Sequence, residues 1–557
     1  MTGVQTCALP ISDTETLLAG FDAWGIEGTV QRATGMFAFA LWDRCTQELS
    51  LVRDRLGEKP IYFGWQGEGV SRSFLFGSEL KALKAHPSFS AKVDRGSLSL
   101  LLRHGYIPAP YSIYEGISKL EPGSILSVSL SNPDPVITKY WDVVDIATSG
   151  RAAIFTGSPL QAVDELEKLA KSVVHQQMVS DVPLGAFLSG GIDSSTIVAL
   201  MQAQSSRPVK TFTIGFNEDG FNEAVHAKAV AKHLGTDHTE LYISPNHAIE
   251  IVPKLSTLYC EPFADSSQIP AYLLSQLAKQ KVTVSLSGDG GDELFCGYNR
   301  YKLTSQLWRK LSLVPTPIRG IASKLITSIS PNTWDGLGGV IPGGKSYTAL
   351  GDKLHKGAGV LMSADFQGLY LGMVSQIPNP AEWVIGEYEP ITKVISNSSL
   401  LAEFSDIEQM MLLDTISYLP DDILVKVDRA AMGVSLECRV PFLDHRIVDF
   451  AWTLPLDYKL RDGQTKWPLF QLLCRYVPRE LIERPKMGFG VPIGSWLRGP
   501  LRDWAETLLS ESRLRQEGYF HPEIIRSKWT EHLSGRRNWQ SQLWTVLMFQ
   551  AWLENEK

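Results

Sequence analysis

One stretch, Leu188-Ser189-Gly190-Gly191-Ile192-Asp193-Ser194-Ser195, leaves few folds open to this chain. It follows an apolar run, LGAFLS (184–189), and leads into SSTIVALMQA (194–203), so it reads as a tight turn from a buried strand into a helix. Two adjacent glycines let backbone N–H groups approach an anion, the helix N-terminus adds a favourable dipole, and the serine hydroxyls add donors. Such a turn is a cradle for pyrophosphate. It carries neither the lysine of a Walker loop nor a G-x-G-x-x-G pattern, which disfavours P-loop NTPases and dinucleotide folds. Asp193 puts a carboxylate inside the cradle, an arrangement that calls for a divalent cation, so Mg²⁺ is implied.

The surroundings carry the same period. KTFTIGF (210–216) precedes a helix expected from Asn222, and KVTVSLS (281–287) precedes a second glycine-rich turn, Ser287-Gly288-Asp289-Gly290-Gly291-Asp292. Strands alternating with helices predict a parallel sheet with ligands beyond the carboxyl ends of its strands, where both turns lie. Upstream, Gly35 to Ser78 and Ile113 to Trp141 read as short strands and tight turns. Apolar residues on both faces of Gly35–Asp43 suit a sheet covered on both sides. The Ala-, Ser-, Gly- and Thr-rich stretch from Val143 to Pro159 reads as a connection between domains, and the chain from Leu400 onward as largely helical.

Composition narrows the partners. The 557 residues carry a net charge of -7 and no long basic run, which argues against nucleic acid or an anionic membrane as a partner. The six cysteines, Cys7, Cys45, Cys260, Cys296, Cys438 and Cys474, form no Cys-x-x-Cys pair. They suggest neither a zinc ribbon nor a secreted disulfide framework, and a reducing cytoplasm is the expected compartment. His226, His233 and His238 lack the pattern of a metal site.

The loop SGGIDSS resembles the pyrophosphate loop of the ATP pyrophosphatases, which cleave ATP between its α and β phosphates to adenylate a substrate. Ser287-Gly288-Asp289-Gly290-Gly291-Asp292-Glu293-Leu294-Phe295-Cys296-Gly297-Tyr298 is similar to the acidic loop of the glutamine-dependent asparagine synthetases. Arg439-Val440-Pro441-Phe442-Leu443-Asp444, the run 227–238 and Arg484-Pro485-Lys486-Met487-Gly488-Phe489-Gly490 agree with that family, and the resemblance extends over the chain from Ser12 onward. It implies ATP and Mg²⁺ as cofactors, with Leu188, Ile214, Ser287 and Gly288 on the adenosine side, and Ser189, Gly190, Gly191, Ser194 and Ser195 around the phosphates. Asp193 and Asp292 would hold the metal, Asp289 would guard the β-aspartyl-adenylate against which ammonia reacts, and Lys486 would offset charge on the leaving pyrophosphate. Lys426 and Arg429 would clamp aspartate.

The first 150 residues resemble the family's glutaminase half through Gly35-Met36-Phe37-Ala38-Phe39, Arg53-Asp54-Arg55-Leu56-Gly57 and Phe76-Gly77-Ser78-Glu79-Leu80, with Asp13 matching the residue that binds the glutamine α-amino group. The expected architecture is therefore an α/β chain in two parts. An N-terminal-nucleophile-type αββα sandwich, incomplete at its start, spans 13–150, and a parallel α/β ATP pyrophosphatase domain of the adenine nucleotide α-hydrolase-like kind, with a helical C-terminal part, spans 160–557. In the family a cysteine directly after the initiator Met attacks glutamine with its own α-amine as base. Residues 1–12 (MTGVQTCALPIS) resemble nothing in the family, and Cys7 is internal without a free α-amine. They are expected to be a foreign start, with the synthetase half drawing on free ammonia. The implied partners are small molecules (aspartate, ATP, glutamine or ammonia), and the resemblance allows a homodimer. The same loops also serve relatives that adenylate another carboxylate, as in β-lactam or lasso-peptide cyclisation, and a non-catalytic remnant would keep them too.

Overall fold

The computed structural model describes residues 12–216, 223–338, 350–386, 389–396, 401–483 and 491–556. Its amino-terminal part opens with α1 (Asp13–Val30), followed by the strands β1 (Ala38–Asp43), β2 (Glu48–Arg53), β3 (Tyr62–Gln66) and β4 (Ser73–Gly77). After α2 (Arg95–His104) come β5 (Ser118–Lys119), β6 (Ser124–Ser129) and β7 (Val136–Lys139). Two antiparallel sheets result, of strand order β1-β2-β6-β7 and β4-β3-β5. Between them Leu51, Ile61, Phe63, Leu120, Leu126 and Val128 form one small core. The second apolar face predicted for β1 is also used, since Phe39 meets Phe21 of α1 at a ring-centroid distance of 5.4 Å.

The stretch read as a connection is a helix, α3 (Val143–Ala152), which begins where the Asp142 carboxylate accepts the Val144 N–H at 2.8 Å. Its small residues serve packing rather than looseness. A β-carbon at Gly150 would stand 2.7 Å from the carbonyl oxygen of Trp452, so only glycine lets the helix approach that closely.

Beyond it, α4 (Pro159–Gln177) leads into the parallel sheet of β8 (Leu184–Phe187), β9 (Lys210–Phe216), β10 (Asp237–Ile243), β11 (Val284–Leu286) and β12 (Glu437–Arg439). The strand order is β10-β9-β8-β11-β12. Successive strands run outward from β8 in one direction as far as β10, and the chain then returns to place β11 on the other side of β8. Such a reversal opens a crevice at the carboxyl ends of the two central strands. The α5 (Ile192–Ala203), α6 (Ala224–Leu234), α7 (Gln268–Lys279) and α8 (Gly291–Leu294) helices connect or follow the strands, and the helix read as starting at Asn222 begins at Ala224, with Asn222 itself outside the described residues.

The remainder is helical, as its Leu- and Trp-rich patterns imply, with one exception. β12 pairs in parallel with β11 through Glu437, Cys438 and Arg439, and its three residues are too few for a period to register in the sequence. The helices needed below are α9 (Asn299–Leu311), α10 (Leu350–Val360), α11 (Asp406–Leu413), α12 (Leu424–Met432), α13 (Trp467–Leu473) and α14 (Gln540–Glu554). Between α11 and α12 the helix widens into a π-helical stretch, Asp414–Ile423, around Pro420. Proline has no N–H to continue an α-helical ladder, and a wide turn absorbs the loss. α14 is buried nearly all round and ties the two parts together, its Trp552 lying 5.7 Å from Tyr114 of the amino-terminal part. Among the described residues no helix is long and apolar enough to cross a membrane.

Candidate active site

Both glycine-rich turns lie at the switch point, one at the end of β8 and the other at the end of β11, and they interlock. A β-carbon at Gly288 would stand 2.6 Å from the Ser194 nitrogen, so the second turn rests directly on the first. Gly190 has φ +74° and its α-carbon faces the start of α6, where a β-carbon would come within 2.8 Å of the Ala227 nitrogen. Left-handed backbone and close approach both demand glycine there. Within the first turn the Ser189 N–H donates to Ser194 Oγ at 3.1 Å and the two hydroxyls lie 3.0 Å apart, so the loop is held in a closed ring of short polar contacts.

In front of the turns is a cavity of about 840 Å³. Leu188, Ser189, Gly191, Asp193, Ser194, Ser287, Gly288, Asp289, Asp292 and Lys426 all line it. Gly190 and Ser195 support the loop from behind, Ser195 being 1% exposed, and Ile214 is buried in β9. Asp13 opens α1 on the exposed surface of the amino-terminal part. Lys486 lies outside the described residues, as does Cys7.

Arg429 faces the other way. Its Nη2 donates to the Ser78 carbonyl at 2.5 Å, and Nη1 lies 3.6 Å from Glu79, so it ties α12 to the turn after β4 instead of facing the cleft. Lys59 makes a parallel tie, with Nζ 2.5 Å from Asp428 Oδ1. Lys426, one helical turn away, does line the cleft, where its Nζ donates to Asp265 Oδ2 at 2.8 Å. Burial alone would raise the Asp265 carboxyl, but Lys426 and the Ser267 N–H and hydroxyl pull it down to about 2.

A cation absent from the sequence-derived set dominates the cleft. Lys466, in the left-handed conformation just ahead of α13, has its Nζ 2.8 Å from Asp292 Oδ1 and in contact with Asp193 Oδ2. Burial opposes its charge, yet the two carboxylates hold its pKa above that of an ordinary lysine. One ammonium therefore joins the two turns. No local motif marks Lys466, since its partners lie far away in sequence; only the fold brings it to them. Asp265 was missed for the same reason.

Two carboxylates that meet at one ammonium also face a common point. Together with substrate phosphates they suit Mg²⁺, which keeps few protein ligands. Among the described residues no group of three or more His, Cys, Asp or Glu could hold a metal alone. Asp289 is held by the Ser287 hydroxyl at 2.8 Å, and burial raises its carboxyl above the usual range despite that bond. The cleft thus offers backbone and hydroxyl donors for phosphate, paired carboxylates and a lysine at its centre, and one proton-accepting carboxylate at its wall.

Comparison with known proteins agrees with this chemistry. The asparagine synthase family model matches residues 165–554, and a glutamine amidotransferase domain model matches 6–141. The chain is 32% identical over 549 residues to asparagine synthetase [glutamine-hydrolyzing] 1 of Bacillus subtilis, covering 97% of this chain and 80% of that protein. It is 33% identical over 551 residues to a putative asparagine synthetase of Mycobacterium tuberculosis, covering 97% and 79%, and 24% identical over 569 residues to the mouse asparagine synthetase, covering 96% and 79%. The chain belongs to the glutamine-hydrolysing asparagine synthetase family, whose members are ATP-using carbon–nitrogen ligases.

Proposed function

We propose that the cleft adenylates aspartate and passes the adenylate to ammonia. The carboxylate oxygen of the aspartate side chain attacks the α-phosphorus of ATP, the bond to the bridging oxygen breaks, and pyrophosphate departs. Ammonia then attacks the acyl carbon, AMP leaves, and the nitrogen loses a proton to give asparagine. Leu188, Ser287 and Gly288 hold the adenosine side with Ile214 behind them. Ser189, Gly191 and Ser194 donate to the phosphates, with Gly190 and Ser195 shaping the loop, as a helix N-terminus and glycine-rich turn do for anions. Asp193 and Asp292 would hold Mg²⁺, which would supply charge neutralisation on the phosphates when bound. Lys466 meets the charge that grows on the departing pyrophosphate, and Lys486 is proposed to assist it.

Asp289 accepts the proton lost by the incoming nitrogen. A carboxyl raised by burial is a better base than a solvated one, and it is poised to hold ammonia against the acyl carbon. Lys426, already committed to Asp265, sets the charge balance where the acceptor enters. The observation that carries this reading is the Lys466 ammonium touching carboxylates from both glycine-rich turns. The test is pyrophosphate release from ATP, which should require aspartate and Mg²⁺; release independent of aspartate would sink the acceptor assignment.

For the nitrogen source we propose free ammonia in this 557-residue polypeptide. Cys7, the cysteine ahead of Asp13, is internal, and the nucleophile of this chemistry needs its own α-amine. Ammonium should support asparagine formation and glutamine should add little, and glutamine-driven synthesis at a comparable rate would overturn the proposal.

A further inference from the structure

The helix Thr316–Ser328, which follows α9, is turned inside out. Its one buried side chain is a cation, Arg319, whose Nη1 donates to the Ser363 carbonyl at 2.8 Å and whose Nη2 donates to Thr316 Oγ1 at 2.8 Å. One turn on, Ser323 Oγ donates to the Ala358 carbonyl of α10 at 2.9 Å. The side that rests on α10 is thus polar and hydrogen-bonded. Ile318, Ile321 and Leu325 have the i, i+3, i+7 spacing of a single face, turned away from α10, and are 55%, 61% and 63% exposed. Leu313, in the turn before the helix, is 83% exposed. A surface helix normally buries its apolar stripe, so an apolar ridge kept on the outer side marks an interaction surface.

Charge identifies what meets the ridge. Residues 294–334 hold six Lys or Arg and no Asp or Glu, in a chain whose 60 acidic residues outnumber its 53 basic ones. The net charge of -7 averages this island away, so the whole-chain balance that argued against an anionic membrane does not describe this face. Arg300 and Arg319 are held inside, by Asp414 and by main-chain carbonyls. Lys302, Arg309, Lys310 and Lys324 form no ion pair among the described residues, and the last three are exposed. Lys324 lies one turn from Ile321 and next to Leu325, and Lys310 lies three residues ahead of Leu313, so cations flank the ridge. A two-fold contact between copies would set these cations against one another, which argues against self-association. The ridge is Leu and Ile alone, without the aromatic and arginine anchors on which protein partners concentrate affinity. An aliphatic ridge bordered by lysines matches a lipid surface: the acyl boundary takes the apolar side chains, and the lysine stems reach back to anionic headgroups.

We propose that Thr316–Ser328, with the end of α9, is a docking surface for an anionic lipid bilayer, lying in the headgroup region without crossing it. Its aliphatic ridge and its exposed cations are two modest signals acting together, which gives reversible attachment. The surface is separate from the cleft chemistry, since none of Lys310, Leu313, Ile318, Ile321, Lys324 and Leu325 lines the cavity in front of the glycine-rich turns.

The test is co-sedimentation of the full chain with vesicles of equal parts phosphatidylglycerol and phosphatidylcholine, and with vesicles of phosphatidylcholine alone, at low and high salt. Binding is expected on the anionic vesicles only, with release as salt screens the headgroups. Leu325→Ser should lower the partition coefficient by about tenfold or more, the scale of withdrawing one aliphatic side chain from an apolar phase. Lys310→Gln and Lys324→Gln should each lower it by about fivefold, the weight of one cation at an anionic surface. Leu130→Ser, at a leucine 76% exposed in the turn after β6, should leave binding unchanged. Tm should stay the same in all four variants, because each replaced side chain is exposed. Absence of binding to the anionic vesicles, whatever other macromolecule the face captures, overturns the proposal. Equal binding to phosphatidylcholine alone overturns it as well, as does a loss with Leu130→Ser that matches the loss with Leu325→Ser. Binding that Leu325→Ser, Lys310→Gln and Lys324→Gln all leave within about twofold would place the contact elsewhere on the molecule and sink the assignment.

Discussion

The two sheet-bearing parts of the chain keep their structures by different means. In the parallel part, loops that are remote in sequence are joined by buried ions: Lys466 meets Asp193 and Asp292, and Lys426 meets Asp265. In the antiparallel part the largest sheet ends, among the described residues, in β1 on one side and β7 on the other, and β7 is exposed along its whole length. That part completes its packing on borrowed surface, where Tyr114 meets Trp552 of α14, and through Lys59 on Asp428 and Arg429 on Ser78. Buried ion pairs are poor net stabilisers but costly to break, so the contrast is between a site defined by charge placement and a sheet that depends on its neighbour.

Breaking the central pair should have the largest effect. Lys466→Met should lower pyrophosphate release by about 10²–10³-fold, the scale of losing one preorganised electrostatic contact. Steady-state kinetics would read the loss, and a fall of less than about tenfold would remove Lys466 from the chemistry.

A second buried lysine sharpens the point. Lys459 is 2% exposed and lies 4.6 Å from the Trp452 ring centroid, with no carboxylate in ion-pair range among the described residues. Burial pushes its pKa down to about 8 from 10.5. A depressed folded value means that stability is full above the unfolded value and is lost as the pH falls through the folded one. Lys459→Met should therefore stabilise the protein by about 1–3 kcal/mol at pH 7, with the gain shrinking as the pH rises between the two values, measured by denaturant unfolding. A gain that grows with pH would contradict this.

Lys59→Met tests the dependence of one part on the other. It strands the buried Asp428 carboxylate and should cost about 1–3 kcal/mol, discounted for the partial exposure of Lys59. Calorimetry should show the amino-terminal transition moving to lower temperature and separating from the main one. The smallest effect is expected at Trp42, 47% exposed on the edge strand β1. Trp42→Lys should change stability by less than about 0.5 kcal/mol while reducing light scattering on concentration, because a charge on an open edge discourages strand addition.

The sequence reveals features whose cause is local. Both glycine-rich turns were legible because glycine, serine and aspartate at the end of an apolar strand have few other uses. The β strands of the amino-terminal part were visible in their turns. What escaped has a non-local cause. α3 resembled a linker because small residues serve close packing as well as flexibility. β12 was too short to show a period. Lys466 and Asp265 gain their importance only when the chain returns to the same crevice, and Arg429, one turn from Lys426 in the same charged run, points to the other part of the molecule. In a charge-rich helix the spacing gives the faces but does not say which neighbour each face will meet.

The contact between Gly288 and Ser194 means that the two turns cannot slide apart or close down independently: they form a single dovetail at the carboxyl ends of β8 and β11. A small molecule that reaches such a joint must enter from its open side, the cavity in front of the turns, and meet both turns already in place. Any rearrangement in the cleft is therefore left to its walls, where Lys426 stands.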